Sequence, residues 1–114
     1  MFDATPDVNT FPRVTPMSRE IVKLALHKTR YPWLWCHGVT ASTWRGKEVN
    51  ATDAEARRFC YDGALVVAMQ ELGASFSDYQ GALLIIGRGL VSDNDSRGYF
   101  FTRRRIQQAL KASY

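Results

Sequence analysis

The chain has no apolar run near the roughly 18 residues that a membrane-spanning helix needs; its longest, "GALVVAM" and "GALLIIG", are seven residues each. A membrane-inserted protein is therefore not expected. The opening "MFDATPDVNTFPRVTP" carries acid early, lacks an apolar core and is punctuated by proline, so it does not read as a secretory leader. A cytoplasmic protein is the expectation. Cysteine is scarce, at Cys36 and Cys60 only, and in a reducing compartment these read as buried thiols rather than a disulfide. With two histidines and no C-x-x-C or H-x-x-H, the chain also lacks the paired ligands that zinc usually takes. Adjacent Cys36 and His37 point apart, so no metal and no cofactor is expected. Internal repeats and low-complexity tracts are missing too.

What remains is a chain of 114 residues, 46% apolar and 23% charged, the balance of one globular domain. Residues 1–15 read as an extended N-terminal arm, and 16–114 as a single helical domain. The net charge of +4 is unevenly placed. Residues 1–30 hold five Lys/Arg against three acids, 31–87 four against six, and 88–114 six against two. An anionic partner would be sought at the C-terminal end.

Hydrophobic periodicity predicts a mainly α protein: a compact orthogonal bundle of about four helices around a buried central helix, with a small β-hairpin. The first helix spans about Met17 to Arg30 and stops before Pro32. Its inward stripe is Met17, Ile21, Leu24, Ala25 and Lys28, which leaves His27 solvated. After "YPWLWCHG", in which Trp33 and Trp35 share a side if the stretch is extended, alternation from Val39 to Thr43 and a turn at Arg45-Gly46 predict the hairpin. Thr52 and Glu55 have capping-box spacing and predict a second helix from Thr52 to Leu72, apolar all round from Gly63 to Met69. Gly63 and Ala64 would let a neighbour approach closely. "GALLIIG" is the core of a third helix, about 77–87, with a buried strand as the alternative. "VSDNDSRG" reads as a loop, and a last helix runs from about Tyr99 to Ala112. Its inner stripe is Tyr99, Thr102, Ile106, Ala109 and Leu110. Phe100, Arg104, Gln107 and Lys111 lie outside.

The order of "WCHGVTA", "DAEARRFCYDGAL" and "SDND" resembles small bacterial and phage domains of unknown function. These pair a Trp-Cys/Thr-x-Gly-Ala/Val element with an Arg-Trp/Phe-Cys-x-x-Gly-Ala-Leu helix and a later Asn-Asp pair. The matching positions are Trp35, Cys36 and Gly38, then Ala56, Arg58, Phe59, Cys60, Gly63, Ala64 and Leu65, then Asn94 and Asp95. The resemblance covers about residues 18 to 112 and implies a fold without implying an activity. The long N-terminal arm, Trp44 and the triple arginine depart from the pattern.

Three functions follow from the residue types present. A regulator or inhibitor, phage or mobile-element encoded, would bind a protein through Trp33, Trp35, His37, Trp44, Arg45 and Phe100, because aromatics with arginine anchor interfaces. Tyr31 and Phe11 add to that aromatic set. A nucleic-acid binder would use Arg97, Arg103, Arg104, Arg105 and Lys111 on phosphates, with Phe100 available for stacking. A thiol enzyme would need Cys36 or Cys60 with His37 as base and Asp62 or Asp95 as orienting group. Against it, Cys60 falls about two turns inside the expected second helix and Cys36 precedes no obvious helix, so neither thiol gains a helix N-terminus. Protein binding is the leading expectation and nucleic acid the second; a monomer and a homodimer both fit.

Overall fold

The computed structural model describes residues 13–113. Along that span run α1 (Pro16–Lys28), β1 (Ala41–Ser42), β2 (Glu48–Val49), β3 (Arg58–Phe59), α2 (Tyr61–Glu71), α3 (Phe76–Ile86), α4 (Leu90–Ser96) and α5 (Gly98–Ala112). The protein is mainly helical with a small antiparallel sheet, as the periodicity predicts. Of the expected arm, Arg13 to Thr15 are described and carry no regular structure; the rest, Phe11 included, lies outside the described residues.

Thr15 and Ser18 start α1 with a reciprocal capping box, and Pro16 supplies the preset φ of a first helical residue. The same two side chains reach α3. Thr15 Oγ1 donates to Asp78 Oδ1 at 2.7 Å and Ser18 Oγ donates to the Asp78 carbonyl at 2.8 Å. The approach is so close that a Cβ at Gly81 would overlap Ser18 Oγ and the Arg13 carbonyl. Lys28, expected on the inward stripe, pairs with Glu71 of α2 instead, at 2.5 Å.

The core joins one stripe from each helix: Ile21, Val22 and Leu26 of α1, Tyr61, Leu65 and Ala68 of α2, Ala82 and Ile86 of α3, Leu90 of α4, Tyr99 and Ile106 of α5. Each fully buried aliphatic side chain contributes about 1.5–3 kcal/mol by removal from water. α2 packs against α1, α3, α4 and β3, while the last helix, α5, packs on α1, α3 and α4, so α1 shares the central place expected of the second helix alone. The sheet has the order β2-β1-β3, with Ala41 opposite Val49 on one side and Phe59 on the other. A smaller apolar cluster of Ala41, Ala51 and Ala56, packed by Phe59 and Val67, lies beneath it.

Three expectations are corrected. The second helix begins at Tyr61 rather than Thr52. Asp53 does make a local bond, accepting from the Glu55 N–H at 2.7 Å, but this closes a turn. Arg57 and Cys60 then donate their N–H groups to Ser42 and Thr40, at 2.9 and 3.0 Å, and that pairing draws 58–59 into a third strand. Sheet pairing outweighs a capping signal worth about 1 kcal/mol. "VSDNDSRG", expected as a loop, contains α4, whose Leu90 and Asn94 are buried one turn apart. The Asx residues of the segment are held by tertiary partners, which its composition does not show, while the Ser96 hydroxyl donates within the helix to the Ser92 carbonyl. Finally, Pro32–Leu34 form a 3-10 turn, so Trp33 and Trp35 do not share a side. Trp33 is 60% exposed, and Trp35 packs on the core.

Candidate functional site

Trp35, Cys36, Gly38, Tyr61 and Asp95 meet at one point, and Asn94 is its centre. This side chain is 1% exposed. Its Oδ1 accepts from Trp35 Nε1 at 2.8 Å and from the Tyr61 N–H at 3.0 Å. Its Nδ2 donates to the Cys36 carbonyl at 3.2 Å and to Asp95 Oδ1 at 3.1 Å. Asp95 Oδ1 also accepts from the Gly38 N–H at 2.9 Å. One amide thus fixes the "WLWCHG" strap, the N-terminus of α2 and α4 together. Gly63 of the motif is the close-approach residue: a Cβ there would overlap the Thr40 carbonyl of the strap. The close neighbour is the hairpin chain rather than another helix.

Both cysteines are free and sit side by side, because Trp35 and Phe59 form a parallel bridge and the Cys36 N–H donates to the Phe59 carbonyl at 3.2 Å. Cys60 is the N-cap of α2, its sulfur accepting from the Gly63 N–H at 3.2 Å, and is not two turns inside a helix. A helix N-terminus ordinarily favours thiolate. Here burial outweighs it and pushes the Cys60 thiol above its ordinary value. Burial also pushes Cys36 up to about 11, and the neighbouring Cys60 adds to the rise. This is the reverse of an activated nucleophile. The Cys36 sulfhydryl faces the Val39 carbonyl at 3.7 Å. His37 is exposed and lies 5.4 Å, ring to ring, from Trp35. Among the described residues no three of His, Cys, Asp and Glu come together as a metal ion would need.

The triple arginine divides in two. Arg103 donates to the Leu26 and Thr29 carbonyls at 2.9 and 3.1 Å, closing the C-terminus of α1. Arg105 pairs with Asp93 at 2.6 Å and donates to the Ile86 and Arg88 carbonyls, closing α3 in the same way. Arg104 faces outward, as do Arg97 and Lys111.

The aromatic residues expected to bind also divide. Trp35 packs into the interior, edge-on to Tyr99 at 5.8 Å. Trp33, Trp44 and Phe100 are 60%, 51% and 71% exposed. Trp33 stacks on Tyr31 at 4.7 Å, and Arg30 covers Tyr31. Trp44 projects from the hairpin beside exposed Arg45, with the Arg58 guanidinium 5.7 Å from its ring. Arg97 stands over Phe101 at 5.1 Å. Three exposed aromatic and arginine pairs therefore decorate the strap, the hairpin and α5. Arg30 and Phe101 carry no binding signal in the sequence, and Arg58 is named there only in the resemblance; their arginine–aromatic contacts form only on folding.

No helix among the described residues is long and apolar enough to cross a membrane. No family model, no curated protein and no solved structure matches the chain.

Proposed function

We propose that this protein is a small regulator or inhibitor that acts by binding a macromolecule, with a protein as the partner. The observation that supports this most is the set of large aromatic side chains held at the surface on ordered elements, each beside an arginine. A stacked Arg-Tyr-Trp group at Arg30, Tyr31 and Trp33 and a covered indole at Trp44 are pre-oriented in the free protein. They offer buried area to a partner at little conformational cost. Arg45, next to Trp44 in the hairpin and exposed, adds a polar edge there.

Affinity capture from the native host, with Trp33→Ala and Trp44→Ala as controls, tests this reading. Retention of a partner by the wild-type chain and its loss from both variants is the expected result. Equal capture by all three proteins contradicts it.

A second reading, nucleic-acid binding, is favoured by Arg97, Arg104 and Lys111, which form no ion pair among the described residues. Glutamate at these three positions tests it without disturbing Arg103 and Arg105. A mobility shift that weakens with salt and disappears in the variant supports it; no shift at low salt ends it.

A further inference from the structure

α5 carries a second surface whose chemistry is more specific than an aromatic patch. Its inner side is used up: Tyr99, Thr102 and Ile106 are buried, and Arg103 and Arg105 are tied to carbonyls. The opposite side runs Phe100 and Phe101, Arg104, Gln107 and Gln108, Lys111, and every one of these is exposed. Seven residues is nearly two helical turns, so Arg104 and Lys111 form one line about 10 Å long. No acid follows Asp95 in the chain, so nothing on α5 offsets that line. Arg97, also exposed, precedes the helix at Gly98, where the chain turns at φ +84°, and its guanidinium stands over Phe101 at 5.1 Å. Phe100, 71% exposed, lies one turn before Arg104, beside Phe101 at 47%. A hollow of about 420 Å³ opens there, bordered by Phe100, Phe101, Arg104 and Gln108.

We propose that the outer face of α5 docks an acidic amphipathic helix of the partner protein. This rests on the reading of the chain as a protein-binding regulator and names the partner's chemistry. Seven-residue spacing is the repeat at which two helices packed side by side keep their facing residues in register. Carboxylates at the same spacing on the partner meet Arg104 and Lys111 in turn, and its apolar side chain enters the hollow at Phe100. Charge complementarity at the rim steers encounter, and the phenyl contact supplies the buried anchor. A duplex backbone would satisfy the cations and leave the two phenyl rings without an apolar counterpart, which is why a helix is a better fit than duplex DNA.

The probe is a phage-displayed library of 21-residue helical peptides, randomised on one face and panned against the full chain. Enriched sequences should carry Asp or Glu at seven-residue spacing with Leu, Met or Phe between them. The best of them should bind at least tenfold more weakly to Arg104→Glu and to Phe100→Ala, both with unchanged thermal midpoints because the sites are exposed. No enrichment, enriched peptides lacking acid, or full binding by Arg104→Glu overturns the proposal. So does tighter binding of a 20-base-pair DNA duplex than of any selected peptide. If a captured host partner is lost from Trp33→Ala and Trp44→Ala but retained by Arg104→Glu, the protein-binding reading stands and this inference fails.

Discussion

Trp35 and Asn94, 59 positions apart in the chain, are joined by a 2.8 Å hydrogen bond from the indole Nε1 to the amide Oδ1. The same oxygen accepts the first N–H of α2, and the same side chain holds the Cys36 carbonyl. Removing this amide strands three buried polar groups at once. Asn94→Ala should therefore cost about 2–4 kcal/mol, read as a lower urea midpoint. Trp35→Phe keeps the ring against Tyr99 and loses only the donor, and should cost about 1 kcal/mol.

The three consecutive arginines should separate cleanly in an alanine series. Arg103→Ala and Arg105→Ala each leave helix-terminal carbonyls without a charged donor, and should destabilise by roughly 1–3 kcal/mol. Arg104→Ala touches nothing and should stay within about 0.5 kcal/mol. Thermal midpoints of the three variants give the comparison.

Gly63→Ala should destabilise although alanine is the better helix former by about 1 kcal/mol. The added Cβ would overlap the Thr40 carbonyl, a backbone atom that cannot rotate away. Gly81→Ala, facing Ser18 and the Arg13 carbonyl, should behave alike, whereas Gln80→Ala on the same helix should not.

Cysteine labelling follows from burial. A Cys36 thiol pushed from 9.0 to about 11 holds about a hundredfold less thiolate at neutral pH than an ordinary one. Native protein at pH 7 should react with iodoacetamide at least tenfold more slowly than protein unfolded in urea. The rate should keep rising above about pH 10, where an ordinary thiol has levelled off.

Stability should be bounded by pH on both sides. Asp78 is held below the usual carboxylate range by the Thr15 hydroxyl and the Ser75 N–H, and Asp95 by the Gly38 N–H and Asn94. A carboxyl depressed on folding stabilises above its unfolded value near 3.8 and loses that contribution as pH falls through its folded value. Burial raises Cys36 and Cys60, and their contribution is complete below about pH 9 and is lost as pH climbs toward the folded values. Urea midpoints should be flat from about pH 5 to 8 and fall on either side.

Much of this was legible in residue order. Proline and period placed α1 and α5, because those signals are local and act within a turn or two, and period gave α3 only with a buried strand open as the alternative. The buried face of α5 and the exposure of Phe100 and Arg104 follow from period alone. What the sequence hid depends on distant partners. The start of α2 was set by β3 pairing with β1, and α4 by Asn94 and Asp93 finding Trp35 and Arg105. Arg103 and Arg105 look like surface charge until α1 and α3 present their carbonyls. The "WLWCHG" stretch holds residue types of catalysis and metal binding, and its backbone and indole serve the Asn94 junction.

If the surface aromatics and outward cations bind the partner while the strap and its cysteines frame the fold, titration of the captured partner against wild type, Trp44→Ala, Arg104→Glu and Cys36→Ser separates the two roles. Trp44→Ala and Arg104→Glu should each bind at least tenfold more weakly with unchanged thermal midpoints, and Cys36→Ser, where still folded, should bind as the wild type does. Wild-type affinity in both surface variants together with lost binding by folded Cys36→Ser would contradict this division of roles.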